Sequence, residues 1–464
     1  MKAIHMKNRF AILTSAAVAI LVTSAIILAP VLAAPKKYSP TSYGTWDADM
    51  INSDATGCTG AGVYVAVLDT GLTPNWKDYF PEDRVATELG KGFFEPARVD
   101  PKTGEIVYAG FVKQTSWIGS VSDTHGTHVT STILGYNYYD PYDAAVGFNV
   151  EPIFVEGIAP DMTIIPVRVL TTYHMPGYTG PAGVNFGTDL AVAAGIRYAA
   201  DLSDEYSPMI ITMSLGGDEP SQVIEDAIDY ALTKGVVVVA SAGNDGDAGM
   251  GWPGAYPQVI SVGACGWEYE WWWPGLGSGP TTPSYLYPNG RYRLWWLQKD
   301  HGFGVRDVAE APLLSDDVYI PDWSSRENDL RVPGYDQDLD VVAPGSWVRG
   351  PYPGLPGYSH LPWWSKGWGW LAGANPGNFY YVGGTSMAAP HVTGVVAMML
   401  EKNPTLTASE IEDILETTAL SVPTPGSMPV YDYGADGWDW YTYSWGGDAT
   451  GAGLVQADTA VTAS

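Results

Sequence analysis

The sequence predicts an α/β domain built on a mostly parallel central sheet covered on both faces, and three observations carry that prediction. Short, near-continuous Val- and Ile-rich runs recur from residue 60 onward. Helix-spaced apolar patterns lie between them, the rhythm of strands buried on both faces and joined by crossover helices. Hydrophobic residues make up 46% of the 464-residue chain, enough for a large core, which excludes a wholly disordered protein.

The elements follow in order. Lys2, Lys7 and Arg9 precede an apolar run from Phe10 to Leu32, and Val31-Leu32-Ala33 has the small-residue pattern of a cleavage site. Residues 1–33 therefore read as a signal peptide, with an uncleaved N-terminal anchor as the rival, and the remainder is expected outside the cytoplasm. A membrane is a partner only if that segment stays uncleaved. Val63 to Leu68, Ile164 to Val169, Met209 to Met213, Val236 to Ala240 and Val259 to Gly263 read as buried strands. Thr188 to Ala200 and Ser221 to Lys234 read as helices, the second with Ile224, Ala227, Ile228 and Ala231 on one face. A long helix is expected from Ser386 to about Lys402, with Pro390 in its first turn, where a missing N–H costs little. A last helix starts at Thr407, which forms a capping box with Glu410. Two stretches, about 266–320 and 346–380, lack any period and are rich in Gly, Pro, Trp and Tyr. With nearby Trp252 and Trp323 they hold 13 of the 19 Trp, so they read as surface insertions in one domain spanning 34–464.

Charge narrows the partners. There are 51 acidic and 23 basic side chains, a net charge of −28, which becomes −31 (20 basic against 51 acidic) once residues 1–33 are removed. Such a field repels phosphate backbones, so nucleic acid is not expected as a partner. Cys58 and Cys265 offer one disulfide pairing, which an exported chain permits but spacing cannot establish.

Three segments carry chemistry. Val65-Ala-Val-Leu-Asp69-Thr-Gly71 delivers a carboxylate at the end of an apolar strand. Asp123-Thr-His125-Gly-Thr-His128 places a histidine where a helix begins. Gly383-Gly-Thr-Ser386-Met-Ala-Ala-Pro-His391 sets a serine on a glycine-rich turn entering a helix. Sites in open α/β sheets lie at the carboxyl ends of strands, and all three segments fit there. A serine hydroxyl needs a base to become a nucleophile; His125 can take its proton, and Asp69 can hold the imidazole tautomer. A fourth segment, Ala240-Ser-Ala-Gly243-Asn244, follows a strand and offers a side-chain amide to a developing oxyanion beside the Ser386 N–H.

These motifs, in the order Asp, His, Ser, resemble those of the subtilisin-like serine proteases, the subtilases of peptidase family S8. Gly157-Ile-Ala-Pro160, Met213-Ser-Leu-Gly-Gly217, Trp252-Pro-Gly-Ala-Tyr-Pro, Asp340-Val-Val-Ala-Pro-Gly345 and Gly451-Ala-Gly-Leu454 extend the likeness over roughly 43–460. The resemblance implies a three-layer α/β/α fold and an exported endopeptidase acting on proteins or peptides through an acyl-enzyme on Ser386. It gives His125 as general base, Asp69 orienting it and Asn244 in the oxyanion hole. Ser214, Leu215, Gly216 and Gly243 would line the substrate, and Gly251 would lie at the base of the P1 pocket, with Asp245 near its rim able to help a basic P1. A catalytically silent binding protein using the Trp-rich loops is the alternative.

No cofactor is required for the chemistry. His128 and His391 read as structural, and no zinc spacing is present. The resemblance offers Asp78, nine residues after Asp69, and Asn137, from the loop after the histidine helix, to a structural calcium ion; a solvated acidic loop is the other reading of these residues. Thr130 and Ser131 stand where the family usually has Ala-Gly, adding bulk that should be tolerated. The mature-like start near Tyr43-Gly44 follows the signal almost directly, leaving no room for the usual propeptide. The chain is therefore expected to fold without one, or to be restrained by its insertions.

Overall fold

Alternation along the first core strand already assigns the layers. In β1 (Tyr64–Asp69), Val65 and Val67 enter one apolar core while Ala66 and Leu68 enter a second, all buried. The computed structural model describes residues 42–464 apart from 44, 101, 104, 122, 139–152, 174–183, 268–314, 316–317, 347, 354–378 and 433–438. The expected signal segment and most of both insertions lie outside the described residues. Among the described residues no helix is long and apolar enough to cross a membrane.

Nine strands make the main sheet: β1, β2 (Lys91–Phe94), β3 (Lys113–Thr115), β4 (Thr163–Arg168), β5 (Met209–Met213), β6 (Val237–Ser241), β7 (Ile260–Trp267), β8 (Val318–Tyr319) and β9 (Val341–Pro344). Their order is β8-β7-β6-β5-β1-β4-β2-β3, with β9 also pairing β7. Pairing is parallel except for β7–β8 and β2–β3. The chain lays β4 on one side of β1 and then crosses through α3 to lay β5 on the other. The strand order therefore reverses at β1, and the carboxyl end of β1 is the crevice where ligands bind in such sheets.

Seven helices matter: α1 (Trp46–Met50), α2 (His125–Leu134), α3 (Asp189–Leu202), α4 (Gln222–Thr233), α5 (Thr385–Lys402), α6 (Ala408–Thr418) and α7 (Ala457–Ala463). α3 and α4 pack their small and branched residues on the face that holds Ala66 and Leu68. α2, α5, α6 and α7 cover the opposite face, which gives the three layers α/β/α. α5 is buried from Met387 to Leu400, apolar on every side, as a central helix must be. Thr188 caps α3 by accepting the Ala191 N–H, and Thr407 with Glu410 forms the expected capping box of α6.

One expectation changes and two readings gain detail. Helix α5 begins at Thr385, so Pro390 stands in its second turn rather than its first. The Ser386 carbonyl then lacks its usual i+4 donor and instead accepts the Ser214 hydroxyl at 2.8 Å. Cys58 and Cys265, whose pairing the sequence leaves open, form no disulfide: Cys58 lies beside Glu401 and Lys402 at the far end of α5 while Cys265 sits inside β7. The insertions have ordered stems: Gly266 and Trp267 pair antiparallel with Tyr319 and Val318, and Val348–Pro351 pairs antiparallel with Phe379–Val382. Each excursion thus leaves and returns at one edge. Ser131 is accommodated as expected, because a Cβ on Gly350 would fall 2.5 Å from its Oγ, and glycine there leaves the space the hydroxyl fills.

Candidate active site

Asp69 ends β1 fully buried, and its Oδ1 accepts the Thr70 N–H at 2.6 Å. His125 opens α2 with Nδ1 2.8 Å from Asp69 Oδ2 and 3.0 Å from Oδ1. A carboxylate only accepts, so Nδ1 carries the proton and Nε2 of the neutral ring is left as the base. The first turn of α2 is set by the β1 turn: Thr70 Oγ1 accepts the Gly126 N–H at 3.0 Å, and Thr127 Oγ1 accepts the Thr73 N–H at 3.0 Å. A Cβ on Gly126 would stand 2.6 Å from the Gly71 carbonyl oxygen, so only glycine lets helix and strand end approach this closely. Burial pushes the His125 imidazole down, but the charge of Asp69 and its hydrogen bond outweigh that and hold it above its ordinary value.

Ser386 is the second residue of α5 and half-buried, at a helix start whose free N–H groups favour negative charge. Its hydroxyl donates to the Ser214 carbonyl at 3.3 Å, and no hydrogen bond joins it to His125. Ligand-free sites commonly hold such bonds long, and they tighten when substrate arrives. Asn244 caps the same helix from another segment. Its Oδ1 accepts the Thr385 N–H at 2.9 Å and lies 3.1 Å from Thr385 Oγ1, so the amide NH₂ is turned away from Thr385 and free to donate. Thr385 Oγ1 also accepts the Gly243 N–H at 3.1 Å, pinning the turn that carries Asn244. The structure thus brings Asp69 to His125 and Asn244 to the turn that carries Ser386, an imidazole, a carboxylate, a hydroxyl and an amide at one end of the sheet. That set can perform acyl transfer.

Sequence reasoning missed two supporting residues. Thr385 precedes the candidate serine in the Gly-Thr-Ser run, and its place at a helix start is the signal that could have flagged it. Ser214 appeared only as a substrate-strand residue; a proline four residues after Ser386 was the sign that an orphan carbonyl needed a donor.

A cleft of about 740 Å³ runs from His125 along Ser214, Leu215 and Gly216 to Trp252. Gly217 and Trp252 exchange backbone hydrogen bonds of 2.8 and 2.9 Å, which holds the two walls together. Gly251 lies just behind: a Cβ there would come within 3.2 Å of the Gly217 carbonyl oxygen. Gly243 adopts φ +110° and packs on Ser325. Neither glycine belongs to the lining of this cleft. Asp245 is corrected: Arg331 Nη2 lies 2.9 Å from it and 2.8 Å from Asp218, so its charge is already paired rather than offered to a basic P1.

His128 and His391 have structural partners. His128 Nε2 donates to the Val348 carbonyl at 3.2 Å, and His391 lies between the Met387 carbonyl and Asp47 at 2.8 and 3.0 Å. Asp78 is exposed and accepts from Asn75 at 3.1 Å, while the Asn137 N–H donates to the neighbouring Tyr79 carbonyl, so the two segments meet. Their oxygen donors suit calcium; the rest of that loop, 139–143, lies outside the described residues. Among the described residues the acidic group close enough to share an ion or a proton is a different one, Asp338, Asp340 and Glu412.

A three-layer α/β/α sheet with an Asp–His pair and a serine at a helix start is the arrangement of a class of serine hydrolases. The chain belongs to the Subtilase family, Peptidase_S8, whose profile matches residues 60–446. It is 27% identical to fervidolysin of Fervidobacterium pennivorans over 406 residues, 87% of this chain but 41% of that protein's length. It is 25% identical to Subtilisin Savinase of Lederbergia lenta, covering 82% of this chain and 90% of that one. Among solved structures, Sphericase superposes with a TM-score of 0.50 at 25% identity, covering 89% of this chain and 97% of its own. The S41 psychrophilic protease, at 22% identity and a TM-score of 0.51, has the same fold.

Proposed function

We propose that the protein is an exported serine endopeptidase that hydrolyses peptide bonds in proteins or peptides through an acyl-enzyme on Ser386. The observation that supports this reading is the pairing of buried Asp69 with half-buried His125 at 2.8–3.0 Å, at the same sheet end as the Asn244-capped turn of Ser386. Ser386 Oγ adds to the scissile carbonyl as His125 Nε2 takes its proton, and the carbonyl π electrons become an oxyanion. The Asn244 amide and the Ser386 N–H donate to that oxyanion, and Asp69 stabilises the imidazolium. Collapse expels the amine, which takes the proton from His125; water then repeats the sequence on the ester and frees Ser386. Ser214, Leu215 and Gly216 pair their backbone with extended substrate.

Export rests on the Lys2-to-Ala33 pattern, and N-terminal sequencing of the exported chain tests it. A structural calcium ion held by Asp78 and Asn137 belongs to the same proposal; chelation should lower Tm and added calcium restore it. The chemistry is tested with a fluorophosphonate probe on the full chain. Label on Ser386 that disappears in Ser386→Ala supports the reading; a folded chain that takes no label would favour the silent binding protein.

A further inference from the structure

Beside the cleft, the side chain of Glu95 poses a problem of charge. It follows β2, only 6% exposed, and its Oε1 accepts the Gly110 N–H at 2.7 Å, closing the base of a hairpin (Ala97–Val99 with Ile106–Tyr108). Its second oxygen has no protein partner, and no basic side chain pairs with it. That idle oxygen is open to solvent rather than sealed in the core, so an incoming cation can pair with it. Glu95 lines both the cleft and an adjoining cavity of about 200 Å³, and Phe186 lines both as well. Phe186 stacks on Tyr108, which also faces the cleft, at a ring separation of 6.3 Å and 23° between planes, each ring 41% exposed.

Among the described residues, the other titratable side chains in the cleft lining are His125, already paired with Asp69, and the exposed carboxylates of Asp189 and Glu219. The basic side chain of the adjoining cavity, Arg168, is already bound to Asp123 at 3.1 Å, to Thr171 Oγ1 and to the Leu170 carbonyl. A carboxylate with one idle oxygen open to the solvent, beside two part-exposed aromatic rings and with further carboxylates along the cleft, is the chemistry of a guanidinium site.

We propose that the cleft selects a basic side chain, arginine before lysine, in the part of the substrate that pairs with Ser214–Gly216, with Glu95 as its carboxylate partner and Tyr108 and Phe186 as its stacking surface. This rests on the protease reading above, and the test separates the two. Two fluorogenic peptide sets, identical except for arginine or its neutral isostere citrulline at each position in turn, are assayed on the full chain. At one position the arginine peptide should exceed the citrulline peptide in kcat/KM by about 10–100-fold, and the ratio should shrink as salt rises. In Glu95→Gln, which keeps an acceptor for the Gly110 N–H, the ratio should collapse to about one.

Equilibrium binding of the same peptides to Ser386→Ala should show the same preference without turnover, and fluorophosphonate labelling of the wild-type chain reports the catalytic centre by itself. Labelling together with no arginine preference would overturn this inference and leave the protease reading standing. A preference that persists in Glu95→Gln would overturn the role of Glu95. No labelling, with arginine-selective binding that Glu95→Gln abolishes, would sustain the site and overturn the protease reading. Should Glu95→Gln fail to fold, Phe186→Leu, at an exposed ring, serves instead: a lowered arginine ratio supports the site, and an unchanged one refutes it.

Discussion

Replacing Thr385 by valine tests whether the oxyanion donor is held in place by its neighbour. Thr385 is fully buried, and its hydroxyl lies 3.1 Å from the Gly243 N–H, the Gly243 carbonyl and Asn244 Oδ1. Valine keeps the shape and the backbone N–H that binds Asn244 Oδ1 but removes that hydroxyl. The Gly243 N–H is orphaned, a loss of about 1–3 kcal/mol of stability. Asn244 then retains one of two anchors, and its amide spends less time aimed at the oxyanion. Removing an oxyanion donor outright lowers kcat by about 10²–10³, a figure established on subtilisin itself. A loosened donor should lose part of this, about tenfold in kcat (about 1.4 kcal/mol) with KM little changed. The assay is kcat and KM on a fluorogenic peptide for wild type, Thr385→Val, Asn244→Ala and the double variant, with urea unfolding to separate stability from turnover. Because Thr385 acts through Asn244, valine should add almost nothing to Asn244→Ala. An equal fall in kcat in both backgrounds would refute the coupling.

Three further outcomes are expected. Because His125 is held above its ordinary value and must be neutral to accept a proton, the acid limb of kcat/KM should have its midpoint above about pH 6.5; a limb well below that, in a pH–rate profile, would contradict the Asp69 pairing. Burial and neighbouring carboxylates push Asp340 up to about 8 and Glu412 up to about 7. The folded chain therefore binds more protons than the unfolded one above about pH 4, and stability should decline as pH rises through 7 and 8. Tm should fall by a few °C across that window and fall less in Asp340→Asn. Ser214→Ala should cost about 1–3 kcal/mol by leaving the Ser386 carbonyl without a donor. Pro390→Ala, which supplies the missing N–H, should recover part of it; strictly additive unfolding energies would refute the link.

What could be read from the sequence and what could not divide along a physical line. Asp69, His125, Asn244 and Ser386 were legible because each stands at a locally marked boundary: an apolar strand that stops, a helix that starts, a turn that needs glycine. The strands were legible because burial on both faces leaves unbroken Val and Ile runs, and the boundaries moved by only a residue or so in β1, β4 and β6, although β7 runs on to Trp267. Contacts that cross the fold left no local mark. Arg331 neutralises Asp245 from 86 residues away, and Ser214 serves a carbonyl 172 residues further on. Glu95 sits in Phe-Phe-Glu-Pro, a run with no motif at all, and only the fold shows that Gly110 claims one of its oxygens and that the residue lines the cleft. The chemistry of bond cleavage is common to every peptide, so it can be written into short segments that strand ends deliver. Choice among peptides depends on what surrounds those segments, assembled from loops distant in the chain. In this protein the proposed cleavage residues can be singled out in one sequence, and the proposed partner for an arginine side chain only in the fold.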